Sequence, residues 1–307
     1  MNCSKANIEP FCVYYKAHES LNNLVKIASA SLDLLKPLTE RPDGLDQLNK
    51  VVQRTTEPWG PIWHNNVGVL REDAVAYLAG LAVVHSLSAF EHFLTFAKAE
   101  CDRWNAVNGR PAVNGTWRND DGDITLSQLY AMFGWSRAPI EPYEALFRFI
   151  QECRNCMVHR DGRASQGLCA TAESVSLREC LANWPFSREN KHLPDLPNIV
   201  GGDQIVFAPK HAILSSATCY RIVEEVNSQI VRDLSDDGMV YMAAFHSLID
   251  VQHPARLPNH RSPEKAVMQF LQSRYRVSDV DQEQVIASLR KLNVWEKVRK
   301  RHSEVYG

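Results

Sequence analysis

What the 307-residue chain lacks narrows its function before any motif is read. No apolar run approaches the roughly 20 residues that cross a bilayer. The opening residues, MNCSKANIEPFC, hold no apolar signal core. Charge of one sign is also missing: 34 Lys and Arg face 36 Asp and Glu, a net charge of −2. No global basic field advertises nucleic acid, so any such site is a local patch. Neither a phosphate-cradling glycine loop, a nucleophile elbow nor a kinase signature occurs. Repeats and low-complexity tracts are absent as well. The eight cysteines follow no disulfide framework, which in a chain this long fits a reducing compartment. A soluble, cytoplasmic protein with no membrane partner is the expectation.

What is there suits a helical protein. Apolar residues make up 45% of the chain, enough for one large domain with an appendage, or two domains. Residues 1–13 read as a loose leader, because Pro10 opposes an early helix. Apolar spacing then predicts helices over 14–38, 45–54, about 68–104, 124–133, 210–234 and 239–251. Residues 57–66 read as irregular. The stretch from Tyr77 to Phe90 is apolar on most sides, as in a helix enclosed by a bundle or lodged between a bundle and a partner subunit. Residues 169–202 carry Pro185, Pro194, Pro197 and Gly201-Gly202 and read as an excursion with a small β-hairpin, with Gln204 to Phe207 as the best strand. Residues 253–263 read as a linker to two short helices, 266–274 and 281–301. The expected architecture is mainly α. It has a helical domain over 1–252, with its core at about 65–235 and the 14–38 helix packed on it, and a small C-terminal appendage over 253–307.

The stretch from Glu141 to Gly162, EPYEALFRFIQECRNCMVHRDG, is the most informative. Tyr143, Leu146, Phe147, Ile150, Cys153 and Met157 recur at helical steps and define a buried stripe. At 100° per residue, Arg148, Glu152, Asn155 and His159 share the opposite face, with Arg154 on the flank. Asp161-Gly162 ends the helix. Imidazole exchanges protons near neutral pH, and a guanidinium forks onto phosphate oxygens. Together they suffice for cleavage of RNA by its own 2′-hydroxyl, which needs proton transfer and charge stabilisation but no cofactor or metal. Asn155, one turn before His159, is placed to orient the ring or to bond a phosphate. Arg148, Arg160 and Arg163 extend the local positive patch for an RNA backbone. Other features read as structural: Cys153 and Cys156 as packing cysteines, His85 and His92 as core or interface residues, and the basic tail from Lys297 to His302 as a solvated face.

The segment RNCMVHRDG at the end of an amphipathic helix resembles the signature of the HEPN superfamily (higher eukaryotes and prokaryotes nucleotide-binding). A long preceding helix containing Phe90-Glu-His-Phe-Leu94 and a further helix over 210–234 agree with that resemblance, which covers roughly residues 65–235. It implies a four- or five-helix bundle that dimerises through the motif face, and a metal-independent endoribonuclease acting as a toxin, stress or antiphage-defence effector. It further implies Arg154 as phosphate binder, His159 as general acid/base and Asn155 in support, with Glu91 as a partner to Arg154. RNA substrate, a second copy and an antitoxin or regulatory protein are the implied partners. One subgroup has Tyr two residues after the His, where this chain has Asp161. Two alternatives stay open: a non-catalytic nucleotide- or RNA-binding scaffold, and a helical enzyme with a CxxC metal or redox site.

Overall fold

The computed structural model describes residues 1–54, 62, 66–183, 195–250 and 262–306. Helices dominate, in the order α1 (Glu9–Asp33), α2 (Lys36–Thr39), α3 (Gly44–Gln53), α4 (Val67–Val107), α5 (Leu126–Phe133), α6 (Glu141–His159), α7 (Gln166–Ala172), α8 (Val175–Ala182) and α9 (Pro209–Ala244). A π-helical turn (Phe245–Ile249) follows, then α10 (Pro263–Ser273), α11 (Gln282–Lys291) and α12 (Trp295–Tyr306). None of these helices is long and apolar enough to cross a membrane. The chain forms two compact units: Met1–Ala17 with Ala89–Ile140 and Tyr220–Gly307, and His18–Ser88 with Glu141–Cys219.

In the first of these units the leader is neither loose nor unstructured. Pro10 sits in the first turn of α1, where its missing N–H needs no partner, so the helix starts at Glu9. Ile8 and Phe11 are buried, and the side chain of Asn227 accepts from the N–H of Ile8 and donates to the carbonyl of Ala6, each at 3.0 Å. Arg274 grips Glu9 with two hydrogen bonds of 3.0 and 2.5 Å. The two helical runs expected over 210–251 are fused into α9, which breaks at Ser235 (φ 57°, ψ −175°) rather than ending. At Gly238 an added Cβ would come within 3.1 Å of the Trp104 indole, which accounts for glycine there. The C-terminal helices number three rather than two, because Asn293 turns left-handed (φ 56°) between α11 and α12. The expected linker at 253–263 falls largely on 251–261, outside the described residues.

Glu100 anchors this unit's interior. Its carboxylate is wholly buried, accepts from Nε2 of His246 in the π turn at 2.9 Å, and pairs with the Arg103 guanidinium. Arg103 lies 3.8 Å above the Phe245 ring. The carboxylate thus has a cation and an imidazole as partners, the condition for a buried charge.

In the second unit, α6 packs on the early part of α4. An added Cβ on Gly80 would sit 2.7 Å from the Met157 methyl and 3.3 Å from the Phe207 ring, so this glycine lets α6 and the 200–207 segment approach α4. The expected β-hairpin is absent from the described residues. Where it was expected, α7 and α8 form, each started by a serine side chain (Ser165, Ser174) that accepts a backbone N–H three residues on. Residues 184–194 lie outside the description, as do 55–61 and 63–65 of the stretch read as irregular. Gln204 makes one isolated antiparallel bridge with Arg163 in place of a strand.

Two partly buried histidine contacts hold this unit's helices. His18 on α1 meets the Ser216 hydroxyl on α9 through Nδ1 at 2.8 Å. His211, three residues into α9, accepts the Ala208 N–H on Nδ1 at 2.9 Å, so its ring caps the helix start. Burial pushes the His211 pKa down, with Asp195 opposing. The folded state therefore binds this proton less readily than the unfolded chain. Its stabilising effect is complete above the unfolded value of about 6.5 and is lost as pH falls below it. Thermal midpoints recorded from pH 7.5 to 5 should fall on acidification, and His211→Gln, which keeps the capping acceptor without a titrating ring, should flatten that slope. An unchanged slope in the variant removes His211 from the effect.

Candidate functional site

The predicted buried stripe of α6 is present: Tyr143, Leu146, Phe147, Ile150 and Cys153 are buried, and Met157 is half-buried against Gly80. Phe149, Gln151 and Cys156 are buried too, so the buried arc is wider than the periodicity implied. The polar face is accordingly graded. Arg148 near the middle and His159 at the C-terminal end are exposed, whereas Glu152, Arg154 and Asn155 are half-buried. Arg154 donates from Nη1 to Oδ1 of its neighbour Asn155 at 3.1 Å, which restrains the guanidinium. Cys153 and Cys156 are free thiols inside the helix, and burial raises the Cys153 thiol well above its ordinary range. Among the described residues no cluster of three or more His, Cys, Asp or Glu side chains is arranged to hold a metal.

The helix ends just past the candidate base. Asp161 (φ 51°) and Gly162 (φ 75°) both turn left-handed, and the Gly162 N–H returns to the Cys156 carbonyl at 3.0 Å, closing a glycine-terminated cap. The 202–205 segment then clamps this turn. Gln204 donates to the Asp161 carbonyl at 3.0 Å, the Ile205 N–H donates to Gly162 at 2.9 Å, and Ala164 donates to Asp203 at 2.9 Å. Residues of the 161–164 turn and the returning segment therefore fix where His159 stands. Sequence spacing does not reveal Gln204, because nothing ties it to Asp161, 43 positions earlier. Gly162→Ala tests the clamp: the left-handed backbone costs about 1–2 kcal/mol, and the new Cβ, 2.3 Å from Gln204 Nε2, pushes that amide away. Denaturant unfolding should show that loss, with faster hydrogen exchange at residues 157–163. Unchanged exchange there means the clamp does not hold the turn.

Arg160 and Arg163 are exposed beyond the helix end, and Arg163 donates to the Gly202 carbonyl at 3.2 Å. With Arg148 and His159 they leave four cationic or protonatable side chains open on one stretch of 16 residues. Glu91 belongs to the other compact unit, where it faces Arg118 at 3.3 Å. His85 and His92, expected to be core or interface residues, are both exposed, so neither is a core residue. The basic C-terminal face is braced along α12 by Arg299–Glu296 and Lys300–Glu304 pairs.

No family model, no curated protein and no solved structure matches this chain.

Proposed function

We propose that the protein is a metal-independent endoribonuclease of the HEPN type, acting on single-stranded or loop RNA at a site shared by two copies. The observation that carries this reading is the last two turns of α6: a restrained Arg154–Asn155 pair followed by an exposed His159 on a clamped helix end. In the reaction the 2′-hydroxyl loses its proton to an imidazole and its oxygen attacks the adjacent phosphorus. The guanidinium of Arg154 offsets the charge that builds on the phosphoryl oxygens. The 5′-oxygen leaves with a proton, giving a 2′,3′-cyclic phosphate and a 5′-hydroxyl. Both bonds to phosphorus, the one made and the one broken, belong to the substrate, so the protein supplies proton transfer and positive charge, and a second copy brings the second imidazole. Arg148, Arg160 and Arg163 track the phosphate chain on either side. In the cell this is the activity of a toxin, stress or defence effector restrained by a partner protein.

Purified protein incubated with mixed RNAs in EDTA should yield fragments ending in 2′,3′-cyclic phosphate. Intact RNA across diverse substrates would favour the rival reading, a non-catalytic RNA- or nucleotide-binding dimer. One observation favours that rival: Arg154 is half-buried and already engaged by Asn155, as a purely structural arginine also is.

A further inference from the structure

Met157, two residues before His159, ends the α6 stripe with a thioether lodged between α4 and the turn that stops the helix. It is half-buried, and a Cβ on Gly80 would lie 2.7 Å from its methyl, 3.5 Å from its sulfur and 3.3 Å from the Phe207 ring. That side of the thioether is apolar. The opposite side is polar. A Cβ on Gly162 would lie 3.3 Å from the Met157 sulfur and 2.3 Å from Gln204 Nε2, so sulfur and amide meet over the same glycine. This amide is the one that donates to the Asp161 carbonyl at 3.0 Å and holds the turn after His159. A thioether sulfur is only a weak acceptor, so it leaves the donor to the carbonyl. The other methionines are placed differently. Met239 and Met242 are fully buried, and Met1, Met132 and Met268 are partly exposed but belong to the other unit.

We propose that Met157 is an oxidation site whose sulfoxide releases the clamp on the His159 turn. The co-reactant is hydrogen peroxide. A sulfur lone pair attacks one peroxide oxygen, the O–O bond breaks and an S–O bond forms. The sulfur gives up two electrons, and the departing hydroxide takes the proton of the transferred oxygen and leaves as water. A flexible apolar side chain thereby becomes a polar one. Its new oxygen is a full acceptor, costly to leave without a donor in a half-buried place. Gly80 and Phe207 offer no donor side chain, whereas the Gln204 amide stands on the sulfur's other side. The amide therefore turns from the Asp161 carbonyl to the sulfoxide. The turn then loses the side-chain bond that ties it to the 202–205 segment. The proposal rests on the ribonuclease reading only for its consequence: a site that loosens under oxidants and tightens again when the sulfoxide is reduced.

Hydrogen exchange on the full chain before and after hydrogen peroxide tests it, with a thiol added afterwards to reopen any cysteine disulfides. Peptide mass spectrometry should find one added oxygen on Met157. Exchange at residues 160–164 should then rise about 10-fold, the effect of losing one net hydrogen bond. Methionine sulfoxide reductases acting on both sulfoxide epimers should restore it. Met157→Leu conserves volume and should keep slow exchange after peroxide, whereas Met157→Gln, polar at the same place, should exchange fast without it. A Met157 that stays reduced while Met132 and Met268 are oxidised overturns the proposal. So does a sulfoxide that leaves exchange unchanged, or fast exchange in oxidised Met157→Leu. RNA cleavage measured on the same samples separates the two readings. Exchange that responds to oxidation in a protein that never cleaves RNA keeps the switch and removes the ribonuclease. Oxidised protein that cleaves at the full rate removes the control over the site.

Discussion

Replacing His159 by Ala should lower the rate of RNA cleavage in EDTA by about 10²–10⁴-fold, the range over which a positioned acid/base acts. Stability should change by no more than about 0.5 kcal/mol, because the ring is exposed at the last helical position. That combination separates chemistry from folding. Arg154→Ala should cost a comparable factor of about 10²–10³, with some loss of stability because its stem is half-buried. Arg154→Lys keeps the charge but not the fork, and should fall between the two. Mixing inactive Arg154→Ala with inactive His159→Ala protein probes the shared site directly, since exchanged dimers then hold one intact residue of each kind. Recovery of cleavage on mixing requires two copies at one site. A His159→Ala protein as active as the wild type would remove this residue from the chemistry altogether.

The second large effect lies away from the candidate site. Glu100→Ala should destabilise the protein by about 3–5 kcal/mol, the usual result of deleting one member of a buried charge network. Glu100 is 0% exposed and joins Arg103 on its own helix to His246 in the π turn, so its loss leaves a guanidinium and an imidazole facing an apolar hole. Glu100→Gln fills the same volume and retains an acceptor, so it should cost less. Glu296→Ala, whose pair with Arg299 is largely exposed, should leave the urea midpoint where it is. A shift under about 1 kcal/mol for Glu100→Ala would show that the network is relieved by solvent instead.

Local pattern carried the long helices into view, and tertiary contact hid much of the rest. The α6 stripe was legible because six apolar residues fall on one arc and Asp161-Gly162 stops the helix. The helical start at Pro10 was misread, since a proline that blocks a helix interior is tolerated in the first turn. Both α7 and α8 were masked by their shortness, although Ser165 and Ser174 announce them as capping residues. At Ser235 no glycine or proline marks the break in α9. For the site, Arg154, Asn155 and His159 lie within one helix, so their proximity follows from spacing alone. Gln204, which holds the turn after them, and the Glu100–His246 pair, 146 residues apart, join across distances that no periodicity encodes.

The interleaving of the two units along the chain has a consequence for synthesis. The unit carrying Arg154 and His159 has all its segments once Cys219 has been made. The other unit cannot close until residues 275–284 have been made. The first residues pair with its last ones, as Asn2 does with Ser278, Asn7 with Tyr275, and the Met1 amine with Gln284 across 283 positions. At about 5–20 residues per second, the start of the chain waits on the order of tens of seconds on the ribosome for these partners. Until Tyr220 and Asn227 have been made, Phe11 and Ile8 also lack partners that they meet in the fold, and they are the residues a chaperone should find first.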